Sequence, residues 1–160
     1  MYTCRPARPE DFPIVASLPQ SEEEAFFMFP VGTYPLVAEQ LREAARTRRC
    51  PTVVVKGQDV VGYANLYGFE EGRQAFLGNV IVAADQRGTG AARHLIAAMI
   101  EAARIELNVP VLRLVCHHTN PRALLFYDKM GFAPYGIKRM TGRRGETIVV
   151  DDVHQFPGHI

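Results

Sequence analysis

The sequence predicts a mixed α/β (α+β) fold, with one mostly antiparallel, twisted sheet flanked by about four helices. Three observations carry that reading. Short runs rich in Val, Ile and aromatic residues alternate with Gly- and Asp-containing turns, as strands do. Two longer segments, 35–48 and 91–107, repeat their apolar residues at helical spacing. The second lies between two apolar runs, 75–83 and 111–116, so at least one strand–helix–strand crossover is required.

Taken in order, residues 2–6 read as a first strand. Pro9, Glu10 and Asp11 then supply the proline and early acids that favour a helix start, running to about Leu18. A turn-rich stretch follows. Within 35–48, Leu36, Val37, Leu41, Ala44 and Ala45 form an apolar face, and Arg46, Arg48 and Arg49 stand at the C-terminal end, where cations suit the helix dipole. Residues 52–56 and 60–67 flank Gly57-Gln58-Asp59 and read as a hairpin. After the polar turn Glu70-Glu71-Gly72-Arg73, the run 75–83 is mostly apolar on both faces, which places it centrally in the sheet with Asn79 as its one polar interruption. An alanine-rich helix over 91–107, a β-branched strand over 111–116 and a helix over 121–130 closed by Gly131 come next. Residues 137–140 and 147–153 pair as a terminal hairpin around Gly142-Arg143-Arg144-Gly145.

At 160 residues, 48% of them hydrophobic, the chain has the size of one ordinary domain, and residues 1–160 are read as one. Lys plus Arg total 18 against 17 Asp plus Glu, so no global basic field exists to hold a nucleic-acid backbone or an anionic membrane surface. The opening MYTCRPARPEDF has proline and charge where a secretory signal needs a continuous apolar stretch, and no later run approaches a membrane span. A soluble, cytoplasmic protein is expected, with neither nucleic acid nor membrane as partner. Cys4, Cys50 and Cys116 are odd in number and form no C-x-x-C pair, which fits reduced thiols and implies no metal.

The most informative segment joins the run 75–83 to the helix 91–107 through Arg87-Gly88-Thr89-Gly90-Ala91-Ala92. Glycines there permit conformations and close approach that a side chain would block, and a helix N-terminus adds unsatisfied N–H groups with a partial positive charge. An anion of pyrophosphate size fits such a turn. The alternative is a tight connection with no ligand, which Arg87, Ala91 and Ala92 make less favourable. A P-loop would need Lys and Ser/Thr after the second glycine, where Ala91-Ala92 stand. A dinucleotide fingerprint would need a third glycine where Arg93 stands, and 111–116 brings no acid for a ribose. Arg87-x-x-Gly90-x-Ala92 resembles the acetyl-CoA signature R/Q-x-x-G-x-G/A of the GNAT acetyltransferase superfamily, and the element order agrees with that family over nearly the whole chain. The resemblance implies a sheet splayed at the acetyl-CoA site. It also implies that the amides of Arg87, Gly88, Thr89, Gly90, Ala91 and Ala92 bind the CoA pyrophosphate, and that Ile81 and Val82 pair their main chain with pantetheine. Ala84 departs from the family pattern, where proline is common.

Asn120-Pro-Arg-Ala123-x-x-x-Tyr127-x-x-x-Gly131-Phe132 is by itself a capped helix, with Asn120 at the N-cap and Tyr127 two turns along the same face. The spacing resembles the second motif of that superfamily, N-x-x-A-x-x-x-Y-x-x-x-G-F. There Asn120 contacts the cofactor and Tyr127 sets its hydroxyl beside the thioester sulfur; the alternative is a core tyrosine with its hydroxyl satisfied elsewhere. His117 and His118 are adjacent, point to opposite faces if extended and have no further ligand near, so they receive no role.

The implied reaction moves acetyl from acetyl-CoA directly to a primary amine. An ammonium of pKa about 10.4 must first lose a proton, and the thioester oxygen needs a donor, which the resemblance places at a backbone N–H near Ile81. Tyr127 protonates the departing thiolate. The base is open, because residues 75–79 contain no carboxylate. Asn79 is expected either to hold a water, with Glu24, Glu70, Glu71 or Asp151 as the final acceptor, or to be a structural amide. Ser21-Glu22-Glu23-Glu24-Ala25-Phe26-Phe27 mixes acids and aromatics in the region that forms the acceptor wall in this family, and a cationic amine is drawn to such a surface; the alternative is a solvated acidic helix start with core phenylalanines. Leu18-Pro19-Gln20, Glu24, Phe27, Pro30 and Gly78-Asn79 also resemble a bacterial subgroup that includes lysine-peptide acetylation, so a lysine-type amine of a peptide or small molecule is expected. A polyamine or antibiotic amine is the alternative acceptor, and a non-catalytic acyl-CoA sensor or partner module the alternative class. A monomer or homodimer fits either.

Overall fold

The structure is a computed structural model that describes residues 1–142 and 145–156. In chain order it forms β1 (Tyr2–Pro6), α1 (Phe12–Ala16), α2 (Glu22–Met28), α3 (Ala38–Ala45), β2 (Arg49–Lys56) and β3 (Asp59–Glu70). β4 (Gln74–Val82), α4 (Ala91–Glu101), β5 (Val111–His117), α5 (Pro121–Lys129), β6 (Ala133–Gly142) and β7 (Gly145–Gln155) follow. All seven strands belong to one sheet of order β1-β2-β3-β4-β5-β7-β6. Only β4 and β5 run parallel, joined by the crossover helix α4, and β4 is the middle strand, as its apolar run predicts.

Two cores form because strand side chains alternate between faces. In β2, Val53 and Val55 face a core with Phe12, Val15, Met28, Leu41, Tyr63 and Ile81 under α1 to α3. Val54 faces the other way, joining Leu66, Leu77, Leu112 and Phe132 beneath α4 and α5. In α4, Ala91, Leu95, Ile96 and Met99 are buried at helical spacing. Leu95 is wholly buried, and full burial of such a side chain contributes about 1.5–3 kcal/mol.

Several expectations need correction. Among the described residues there are five α-helices, the additional one being α2, whose N-cap Ser21 accepts a hydrogen bond from the Glu24 amide. The predicted helix 35–48 contracts to α3, because Val37 is extended and residues 46–48 close the end with bonds to carbonyls three residues back. The predicted helix 91–107 changes pitch after Glu101, its last turn widening until the Leu107 amide bonds to the Ala102 carbonyl. The last hairpin is longer than expected on both strands, and its predicted turn residues Arg143 and Arg144 lie outside the described residues.

Candidate active site

The pairing of β4 with β5 is short. Ala75, Phe76 and Leu77 lie opposite Leu112, Arg113 and Leu114, and no pair follows. Beyond that point β4 stays with β3 and β5 with β7, so a wedge opens between two central strands. Backbone N–H and C=O groups along its two edges lack the partner that a closed sheet would give them, and such groups call for a ligand or water. A bulge in β4 coincides with the wedge. Tyr63 pairs with Ile81 and Asn65 with Gly78, which leaves one extra residue on β4, and Asn79 takes φ 51° there. Asparagine tolerates the left-handed region better than most residues, which accounts for a polar side chain in an apolar strand. The amide of Asn79, 5% exposed, donates from Nδ2 to the Met28 carbonyl at 2.9 Å and accepts at Oδ1 from Asn65 Nδ2 at 2.9 Å. These bonds match the structural-amide reading and hold the end of α2 on β4.

At the wide end of the wedge, Gly88 and Gly90 take φ 77° and 103°, conformations that favour glycine. Gly90 is the N-cap of α4. Among the described residues, the amides of Gly88 to Ala92 make no hydrogen bond within the protein, whereas the Arg87 amide turns back to the Ala84 carbonyl at 3.4 Å. Five consecutive N–H groups are therefore presented, one fewer than the motif implies. The turn is braced from outside by Tyr2, whose hydroxyl bonds Gln86 Oε1 at 2.7 Å and contacts Thr89 Oγ1. Arg87 braces it from within, donating from Nε and Nη2 to the Val82 carbonyl at 3.3 and 3.2 Å and pairing with Glu24 at 2.7 Å. Sequence reasoning assigned Arg87 and Glu24 to different halves of the site; the fold joins them.

The two faces of the wedge carry different chemistry. On the α5 side, Tyr127 is 9% exposed, with its ring edge-on to Phe126 and Phe132, yet no hydrogen bond of its hydroxyl occurs among the described residues. Burial, with Cys116 and Asp152 adding to it, pushes this phenol well above its ordinary value, so it keeps its proton. The neighbouring Cys116 thiol is pushed up to about 12, also by burial, and is no nucleophile. Asn120 occupies the N-cap position of α5, but its side chain makes no cap bond.

On the α2 side stands His117, to which the sequence reading gave no role. It is 7% exposed, its ring centroid lies 4.8 Å from that of Phe26 and 5.8 Å from that of Phe27, and Nδ1 is buried without a partner. Burial holds its imidazole below the ordinary histidine range, with His118 adding in the same direction, so it is neutral at pH 7. The signal in the sequence is alternation: Cys116 faces α5, and the next residue on the strand must face α2. The carboxylates considered as proton acceptors are otherwise engaged. Glu24 is held below its usual range by the Arg87 guanidinium, Asp151 pairs with Arg113, and Glu70 bonds Arg73 and Gln74. Glu71 is exposed. Among the described residues, no cluster of three or more His, Cys, Asp or Glu could hold a metal ion.

A wedge beside a turn of free amides suits a ligand with an extended backbone-like arm and an anionic end, which is the class of acyl-carrier-binding transferases. Residues 15–132 match the sequence model described as the acetyltransferase (GNAT) family. The chain belongs to this family, whose members use acetyl-CoA as co-substrate. No curated protein is a significant match to the sequence. Among solved structures, the fold is similar to the ribosomal-protein-S18-alanine N-acetyltransferase of Escherichia coli, at 18% identity and a TM-score of 0.75 over 97% of this chain and 94% of that one. A variant spermidine N-acetyltransferase of Vibrio cholerae aligns at 20% identity and a TM-score of 0.76, covering 96% of this chain and 93% of the other. A candidate phosphinothricin N-acetyltransferase reaches 0.79 at 18% identity, covering 97% and 98%.

Proposed function

We propose that this protein transfers the acetyl group of acetyl-CoA directly to a primary amine, of lysine type, in a peptide or small molecule. One observation carries the reading: the β4–β5 wedge runs between a turn of five free amides and Tyr127, a residue 9% exposed whose hydroxyl makes no hydrogen bond among the described residues. The amides of Gly88 to Ala92 hold the pyrophosphate, and the free edge of β4 at Ile81 and Val82 aligns the pantetheine arm. The unengaged side-chain amide of Asn120 is available to the same ligand. No helix among the described residues is long and apolar enough to cross a membrane, and the reading places the reaction in the cytoplasm.

Two groups move protons. His117 takes the first proton from the arriving ammonium, the C–N bond forms at the thioester carbon, and the C–S bond breaks. Of the two protons the ammonium gives up, one ends on sulfur by way of Tyr127 and the other leaves through His117. The acid and base thus approach the wedge from its two faces. Replacing His117 by Gln keeps a polar side chain of similar reach but removes the base. His117→Gln is expected to lower kcat/KM at pH 7 by roughly ten- to a hundredfold, within the range for one general base. Because burial depresses the imidazole pKa, the wild-type rate should hold down to pH ~6.5 and fall only below it, as the ring takes a proton. That acid limb should be missing from the variant. An identical pH profile in both proteins would remove His117 from the mechanism.

The reading is tested by incubating the protein with acetyl-CoA and a broad panel of amines while following free thiol. Amine-dependent thiol release is the expected result. Tight acetyl-CoA binding without release would make the protein an acyl-CoA sensor, a role for which an acid at the sulfur has no use. A panel that includes spermidine and an aminoglycoside separates the lysine-type acceptor from the polyamine and antibiotic alternatives.

A further inference from the structure

Arg48 lies at the end of the α3–β2 connection, and its guanidinium rests over the sheet on the α2 face of the wedge. Its central carbon is 4.5 Å from the centroid of the Tyr67 ring, and Nη1 donates to Asn65 Oδ1 at 3.0 Å. Gly78 makes this possible, since a Cβ there would stand 2.7 Å from both Arg48 Nη1 and the Tyr67 ring. Gly78 directly follows Leu77, the last residue of β4 that pairs with β5. The guanidinium therefore covers the point where the strands part.

What sets Arg48 apart is its lack of an acid. Four described arginines are not fully exposed, and three of them pair with carboxylates: Arg5 with Asp11, Arg42 with Glu39 and Arg113 with Asp151. Arg48 has no carboxylate within 4.0 Å among the described residues, and only its Nη1 hydrogen-bonds to the protein. Burial disfavours its charge, and the only opposing influences come from neutral tyrosines. A partly buried cation without a counter-charge is costly unless a ligand supplies one. The acids near the wedge show the opposite arrangement, since Glu24 and Asp151 are each neutralised by an arginine. The acceptor side thus offers one partly buried cation with no counter-charge, while its unpaired acids, Glu22 and Glu23, are exposed on α2.

From this charge balance we infer that the acceptor amine carries a carboxylate, and that Arg48 recognises it while the amine reaches into the wedge. The inference rests on the transferase reading above and narrows its acceptor to an amino-acid-like or C-terminal one. Nε and Nη2 are the donors left for the carboxylate, and Asn65, held by Asn79 and so by the Met28 carbonyl of α2, fixes the direction in which they point.

The test compares amines that differ only in that charge: L-lysine against cadaverine, and glycyl-L-lysine against its C-terminal amide. A charge-assisted hydrogen bond predicts that the wild type favours the carboxylate member of each pair by roughly tenfold or more in kcat/KM. Arg48→Gln should abolish that preference through KM, with wild-type circular dichroism and acetyl-CoA affinity showing that the variant is folded. Arg48→Lys should keep part of it. Equal use of both members by the wild type, or a preference that survives in Arg48→Gln, would overturn the inference while leaving the transferase reading intact. No thiol release with any amine would overturn both.

Discussion

Gly90→Asp is expected to weaken acetyl-CoA binding by about a hundredfold or more while leaving the fold in place. The reasoning begins with space. A Cβ on Gly90 would meet only Tyr2 Cε2, at 3.9 Å, so the side chain has room. The backbone is at φ 103°, which aspartate tolerates better than most residues, and the conformational cost is about 1 kcal/mol. Charge then decides the outcome. A carboxylate at the N-cap of α4 would stand where the amides of Gly88 to Ala92 converge, and two unit charges about 5 Å apart at an effective dielectric near 20 repel by ~3 kcal/mol, which is about a hundredfold in affinity. Gly90→Ala carries the backbone penalty without the charge, so it should bind acetyl-CoA nearly as the wild type does. Calorimetry on both variants separates the effects. Folded Gly90→Asp protein that binds acetyl-CoA with wild-type affinity would show that the anion lies elsewhere.

How much of this was legible beforehand depended on whether the controlling contacts are local. The strands, the crossover helix and the turn at 87–92 announce themselves through periodicity and glycine placement, and the sheet follows that reading with β4 at its centre. For the segment that forms α2, the sequence leaves an acceptor wall and an acidic helix start with core phenylalanines both open, because prolines bracket it and the helix is only seven residues long. Ser21-x-x-Glu24 is the sequence signature of that helix start, and Ser21 does cap α2. The wedge was foreseeable only through family resemblance, because the end of β4–β5 pairing at Leu77 depends on a bulge across from β3 and on strands far apart in sequence. Charge partners were the least legible of all. Glu24 and Arg87 are 63 residues apart and Arg113 and Asp151 are 38 apart, so which acids remain free cannot be decided from composition. The missing partner of Arg48 is hidden in the same way, and so is the depth of His117, whose neighbours Phe26 and Phe27 come from α2.

Tyr127→Phe keeps the ring, and with it the contacts to Phe126 and Phe132 that seat α5, and deletes only the hydroxyl. Acetyl-CoA affinity should change little. Turnover should fall by roughly ten- to a thousandfold, the range for losing one general acid that water can partly replace. The environment of the phenol refines this expectation. Burial, Cys116 and the buried Asp152 together raise its pKa, and a thiolate of pKa about 8.5 does not take a proton at equilibrium from so weak an acid. In the proposed mechanism Tyr127 therefore stabilises the departing sulfur by donating a hydrogen bond, and transfers its proton only as one released by the amine replaces it. A low kcat at near-normal KM is the signature of an interaction made in the transition state alone. The activity that depends on the protonated phenol is present below its pKa and lost as pH rises through it, so the alkaline limb should lie above the ordinary tyrosine value of about 10 and vanish in the variant. This limb is read with an amine whose own titration does not set it. If Tyr127→Phe turns over at the wild-type rate on every active amine, the hydroxyl is idle and solvent protonates the thiolate. The acetyl-CoA site would survive that result, because it rests on the separate turn from Gly88 to Ala92 and on the open edge of β4.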